Sequence, residues 1–271
     1  MHSLEFRALL PFIFLTTLLP TSVRGQTVAS QNRGGDVADA IKRVQENDLG
    51  SGPVDALSFV NVIADARAVQ ALPILEQYFA HTSDPDIKAG VASALVRMGD
   101  KNDSYWIYLV KLATPALESN APDPLNDVAG KDMDIISPEF KVWASAHDLS
   151  VEAASKLAMM DLPGGLAPLA KTGDPRGVPL LRKALMSPNL LIASLAAAGL
   201  AQAQDTASVP MIIDACKKAG PTRAHFFADS LLFFDDPEAQ STFALYFPDV
   251  NIQEARKFRG YRPFGRIAAP Q

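Results

Sequence analysis

The stretch "GDPRGVPLLRKAL" (Gly173 to Leu185) reads as a turn followed by a helix, and its outline returns twice. It recurs at "QDTASVPMIIDAC" (Gln204 to Cys216) and again at "DDPEAQSTFALYF" (Asp235 to Phe247), each time after 31 residues. Superposing the three aligns Asp174, Asp205 and Asp236, and sets Val178-Pro179 on Val209-Pro210. Further on, Leu181, Ile212 and Phe243 coincide, as do Leu185, Cys216 and Phe247. A spacing of four between those columns places them on one helical face. Asp suits an N-cap, and Pro is tolerated in a first turn because its missing N–H has no helical partner there. The reading is a helix opened by the Asp and buried along the apolar columns.

A second helix fits between successive starts. "SPNLLIASLAAAGLAQAQD" (Ser187 to Asp205) opens with a Ser-Pro cap, and "GPTRAHFFADSLLFFDD" (Gly220 to Asp236) follows a Gly-Pro break. "DPDIKAGVASALVRMGD" (Asp84 to Asp100) is a third copy. Counting back from the closing Asp aligns Leu95, Leu200 and Leu231, and three residues earlier Ala92, Ala197 and Ala228. A small residue one turn before a large one lets helices approach closely. Each unit is therefore helix, turn, helix. "ARAVQALPILEQYFA" (Ala66 to Ala80) repeats the first helix, and "DSYWIYLVKLA" (Asp103 to Ala113) is an off-register copy. "DLPGGLAPLAKTGD" (Asp161 to Asp174) reads as a shortened or kinked second helix, and residues 119–137 break the period.

These units resemble HEAT-like repeats of the armadillo type, and are most similar to the short variety of about 30 residues found in phycobilin lyases. The resemblance implies an all-α fold, an α-solenoid (superhelix) of helical hairpins over residues 36–250. It implies a concave surface lined by second helices, which such folds use for binding. The lyases show that these repeats can also hold a substrate, but an export signal is at odds with their cytoplasmic role. The resemblance therefore carries the fold and not the activity.

Composition agrees with helices. Ala and Leu dominate, while the 271 residues include only 2 Trp, 5 Tyr and 1 Cys. A net charge of −5 gives no general attraction to nucleic acid or anionic membrane. At the N-terminus Arg7 precedes an apolar run of 13 residues, Ala8 to Pro20. That is short of the roughly 20 needed to span a bilayer. Val23 and Gly25 fit the small-residue rule of a cleavage site. Residues 1–25 thus read as a signal peptide and 26–35 as a disordered lead-in. The mature protein is expected to be extracytoplasmic, periplasmic or secreted, without an integral membrane segment. One cysteine, Cys216, allows no internal disulfide, so packing must supply stability.

Motifs for chemistry are sparse. His81, His147 and His225 lie far apart and fit no metal-binding spacing, so no metal or cofactor is expected. Cys216 falls in a buried column and has no neighbouring His to activate it. The acidic residues Asp123, Asp127, Asp132 and Asp134 in the insertion do not match an EF-hand and read as a solvated loop. The final segment 251–271 holds Arg256, Lys257, Arg259, Arg262 and Arg266 among aromatics. It either closes the last repeat or grips an anion.

The function expected is a non-enzymatic scaffold that binds another protein. Candidate contacts are Lys88 and Arg97 on one second helix, Arg223, His225 and Asp229 on another, and Arg256, Lys257, Arg259 and Arg262 in the tail. The alternatives are a secreted enzyme or ligand-binding protein on the same repeats, or a structural component of the cell envelope.

Overall fold

The computed structural model describes residues 33–47, 53–124, 136–221 and 223–258. The leader, most of the lead-in, Asp127, Asp132 and Asp134, and Arg259 onward lie outside the described residues. So do the side chains of residues 33–36, 53–54 and 257–258. All packing below lies within the unit Gly34–Gln271.

Among the described residues the chain is all-helical and forms no strand. The helices are α1 (Arg33–Glu46), α2 (Pro53–Asp65), α3 (Leu72–His81), α4 (Pro85–Arg97) and α5 (Asp103–Glu118). Then follow α6 (Pro138–Ala146), α7 (Val151–Lys156), α8 (Leu162–Thr172), α9 (Val178–Ala184) and α10 (Leu190–Gln202). The last are α11 (Val209–Ala219), α12 (His225–Leu231), α13 (Pro237–Tyr246) and α14 (Ile252–Phe258). Sequence-adjacent pairs α3–α4, α9–α10 and α11–α12 pack as hairpins. The second helices are also successive neighbours: α2 packs on α4, α4 on α8, α8 on α10, and α10 on α12.

The columns read from the sequence form the core. Leu95, Leu200 and Leu231, with Ala92, Ala197 and Ala228, are all 0% exposed. Leu181, Ile212 and Phe243 are fully buried as well, and Phe247 is half-buried, stacked on Phe243. Small residues set the spacing. A Cβ on Gly199 of α10 would stand 2.9 Å from Cα of Ala170 on α8. One on Gly165 of α8 would stand 2.7 Å from the Leu112 carbonyl oxygen of α5. Neither backbone atom can yield, so both helix pairs require glycine for their approach.

The turns correct two readings. Asp174 and Asp236 do cap, accepting from the N–H of Arg176 at 2.9 Å and of Ala239 at 2.8 Å. Asp205 does not: its carboxylate takes Arg182 at 2.7 and 2.9 Å and the Ser208 hydroxyl instead. The aspartate column is also a helix end. Arg67, Gly99 and Gln204 adopt φ of 50°, 83° and 55°. The next residues donate backward, Ala68 to Ile63, Asp100 to Leu95 and Asp205 to Leu200, at 3.0–3.2 Å. That is the Schellman ending, which satisfies carbonyls left open at a helix C-terminus. The cap of α10 is not the Ser187-Pro188 pair but Asn189, whose Oδ1 accepts from Leu191 and Ile192.

Asn189 has a further duty that follows from a proline. α7 passes through a π turn, Leu157–Asp161, into α8, and Leu162 N–H donates to Leu157 in that wider register. The next donor in the same register is Pro163, which has no N–H. Asn189 Nδ2 donates to the Ala158 oxygen at 2.9 Å and fills that place. α6 and α7 are thus an excursion within a hairpin, since α5 packs chiefly on α8. The start of that excursion is tied down: Asp123 meets Arg223 at 3.0 Å, and the Pro124 carbonyl accepts from Ser137 N–H at 3.1 Å.

Candidate functional site

Each second helix must end, and its last turn leaves carbonyls and the negative end of its dipole. A residue of positive φ at each end, Arg67, Gly99, Gly173 and Gln204, makes the ends comparable. Three residues before Ala68, Asp100, Asp174 and Asp205 stand Asp65, Arg97, Lys171 and Gln202. All four line one recess at the ends of α2, α4, α8 and α10, together with Ala64, Arg67 and Thr172. The same position before four helix ends therefore contributes polar side chains to one recess.

Within the recess Lys171 Nζ donates to Asn61 Oδ1 at 2.7 Å, and Arg97 Nη1 donates to the same oxygen at 3.3 Å. Arg97 Nη2 pairs with Asp65. Much of the Lys171 side chain is open to solvent, yet its ammonium stands among enough protein atoms to lose hydration. That loss lowers its pKa to about 8; the Arg97 charge pushes the same way and Asp65 opposes it. The open volume is about 20 Å³, room for one water-sized group.

Other clusters serve the fold. A larger groove of about 390 Å³ lies between α1 and α3 and includes Val44, Ile74, Tyr78, His81 and Asp84. Two of its polar groups are committed: the His81 ring bonds the Gln77 oxygen of its own helix at 2.7 Å, and Asp84 caps α4. Glu76 shares a hydrogen bond with Asp100, which raises the Glu76 pKa. This carboxyl pair lines neither the groove nor the recess. Cys216 is 0% exposed, and burial pushes its thiol up to about 12, which leaves no thiolate for nucleophilic work. Among the described residues no three His, Cys, Asp or Glu gather as metal ligands. No described helix is long and apolar enough to cross a membrane.

Of the residues singled out from the sequence, Arg97 lies in the recess. Lys88 lies over the Phe79 ring, 4.8 Å from its centroid, and so covers α3. Arg223 holds Asp123, and the His225 ring rests on Phe226 at 4.3 Å. Asp229 is half-buried on α12. Arg256 reaches from α14 to the carbonyls of Leu232 and Phe234 and to Asp235 at 3.1 Å. The Lys257 side chain, Arg259 and Arg262 lie outside the described residues. Lys171, Asn61 and Gln202 were missed. Lys171 and Gln202 had a signal, three residues before Asp174 and Asp205, which the irregular helix before Asp174 hid; Asn61, and Asp65 before Ala68, had no such aspartate to mark them.

No family model matches this chain, and no curated protein or solved structure matches it.

Proposed function

We propose that the protein is an exported docking scaffold, a solenoid of HEAT-like hairpins that presents its second helices to another protein. One observation carries this reading. A single repeat position supplies Asp65, Arg97, Lys171 and Gln202 to one recess, while the columns beneath are sealed in the core. A fold needs the buried columns, but it does not need a ladder of polar groups in register at one end. Repeat proteins bind through such extended faces, with each unit contributing equivalent positions.

The test is recovery of a partner from envelope extract with the wild-type chain and with Ser194→Arg. Ser194 is half-buried on α10, and its hydroxyl bonds only the carbonyl one turn back, at 3.1 Å. The variant should melt within a degree or two of wild type and lose a specific partner. Equal recovery by both proteins, or no specific partner, overturns the reading.

A further inference from the structure

This chain spends its carboxylates on its arginines. Arg43 holds Asp39, Arg97 holds Asp65, Arg176 holds Asp103 and Asp174, Arg182 holds Asp205, Arg223 holds Asp123, and Arg256 holds Asp235. Lys171 breaks the pattern. Its ammonium bonds a neutral amide, Asn61, which Arg97 also uses. In the recess lining Lys171 stands beside the Arg97–Asp65 pair, in a chain of net charge −5.

Helix dipoles explain why cations gather at C-terminal ends. They do not explain two cations crowded onto one amide oxygen. A counter-ion to a dipole is best placed in water and apart from its like, whereas the Lys171 ammonium is stripped of water and held beside Arg97, and binds its proton less tightly for both reasons. An ammonium offers three N–H donors, and Asn61 takes one. The remaining two, beside an Arg97 whose Nη1 and Nη2 already hold Asn61 and Asp65, describe a receptor for an anion. The recess admits about one water-sized group, so a single anionic oxygen enters, as the tip of an acidic side chain presents it.

We infer that the recess anchors an acidic side chain of a docked protein, with one Asp or Glu carboxylate received between Lys171 Nζ and the Arg97 guanidinium. This rests on the docking role proposed above and names the chemistry of the occupant.

Hexaglutamate peptide, titrated calorimetrically into the purified full chain at low ionic strength, tests it. Lys171→Met should weaken binding roughly tenfold or more while the protein melts normally. Lys183→Met, an exposed lysine on α9, should leave binding unchanged. In the wild type the Lys171 ammonium, followed by NMR, should titrate at higher pH once peptide is bound. Peptide binding that is absent, or equal in the Lys171→Met protein, overturns the anchor. So does monomeric glutamate binding as tightly as the peptide, since a free acid would then be the occupant. If hexaglutamate fails while Ser194→Arg still abolishes partner recovery, the docking face stands and the acidic anchor falls. If both fail, the docking role falls too.

Discussion

The ends of second helices receive cations in two ways. At the end of α12, Arg256 is saturated: it satisfies the carbonyls of Leu232 and Phe234 and pairs with Asp235. At the ends of α4 and α8, Arg97 and Lys171 compete for one amide. The same dipole draws both sets of charge, yet Arg256 and Arg97 are each paired with a carboxylate, while Lys171 bonds a neutral amide. The difference separates a cation that closes a helix from a cation held available.

Breaking the saturated end should have the larger effect. Arg256→Met keeps much of the aliphatic cover but strands two carbonyls of residues that are 0% exposed, Leu232 and Phe234. A loss of about 2–4 kcal/mol is expected in chemical unfolding. A loss below about 0.5 kcal/mol would show that water replaces the guanidinium and that the two ends are alike.

Moving the wall of the recess comes next. Gly199→Ala improves helix propensity by up to about 1 kcal/mol. Its methyl would nevertheless press on Ala170, the neighbour of Lys171, at 2.9 Å. Net destabilisation of about 1–2 kcal/mol is expected, read from a urea midpoint, with altered titration of Lys171. A stabilised variant would mean that α8 and α10 part without cost.

The smallest effect belongs to Lys171 itself. Its folded pKa, about 8, lies below the ordinary lysine value of 10.5, so the folded chain binds this proton less tightly than the unfolded chain does. Stability from this group is complete above the ordinary value and is lost as pH falls through about 8. Arg97, Arg67 and Asp65 line the recess with the ammonium; Arg97 adds to the shift and Asp65 opposes it. Lys171→Met should therefore gain on wild type between pH 9 and pH 7, by no more than about 0.5 kcal/mol because solvent screens the group. Parallel melting curves across that range would place the ammonium in bulk solvent.

The sequence disclosed the hairpins because burial imposes period. Leu95, Leu200 and Leu231 recur in register since each must meet the same neighbours. Asp205 was misread because one carboxylate can cap a helix or hold an arginine, and only the position of Arg182 decides. Asn189 was passed over for the Ser-Pro pair before it, since its second partner, Ala158, belongs to a π turn that no period announces. Lys171 obeyed the repeat, but Pro163, Pro168 and the preceding excursion disguised its helix. The bonds of Arg256 depend on where α14 comes to rest, which local pattern does not specify.

The pairing of α5 with α8 has a consequence for how this architecture tolerates change. The cost of bringing two partners together grows only with the logarithm of the tether between them, about 0.6 kcal/mol for each doubling. The excursion holding α6 and α7 could therefore lengthen, or carry grafted sequence, at little cost in stability, provided Asp123 and Ser137 keep its root fastened. Diversity can accumulate at that site while the hairpins on either side stay fixed.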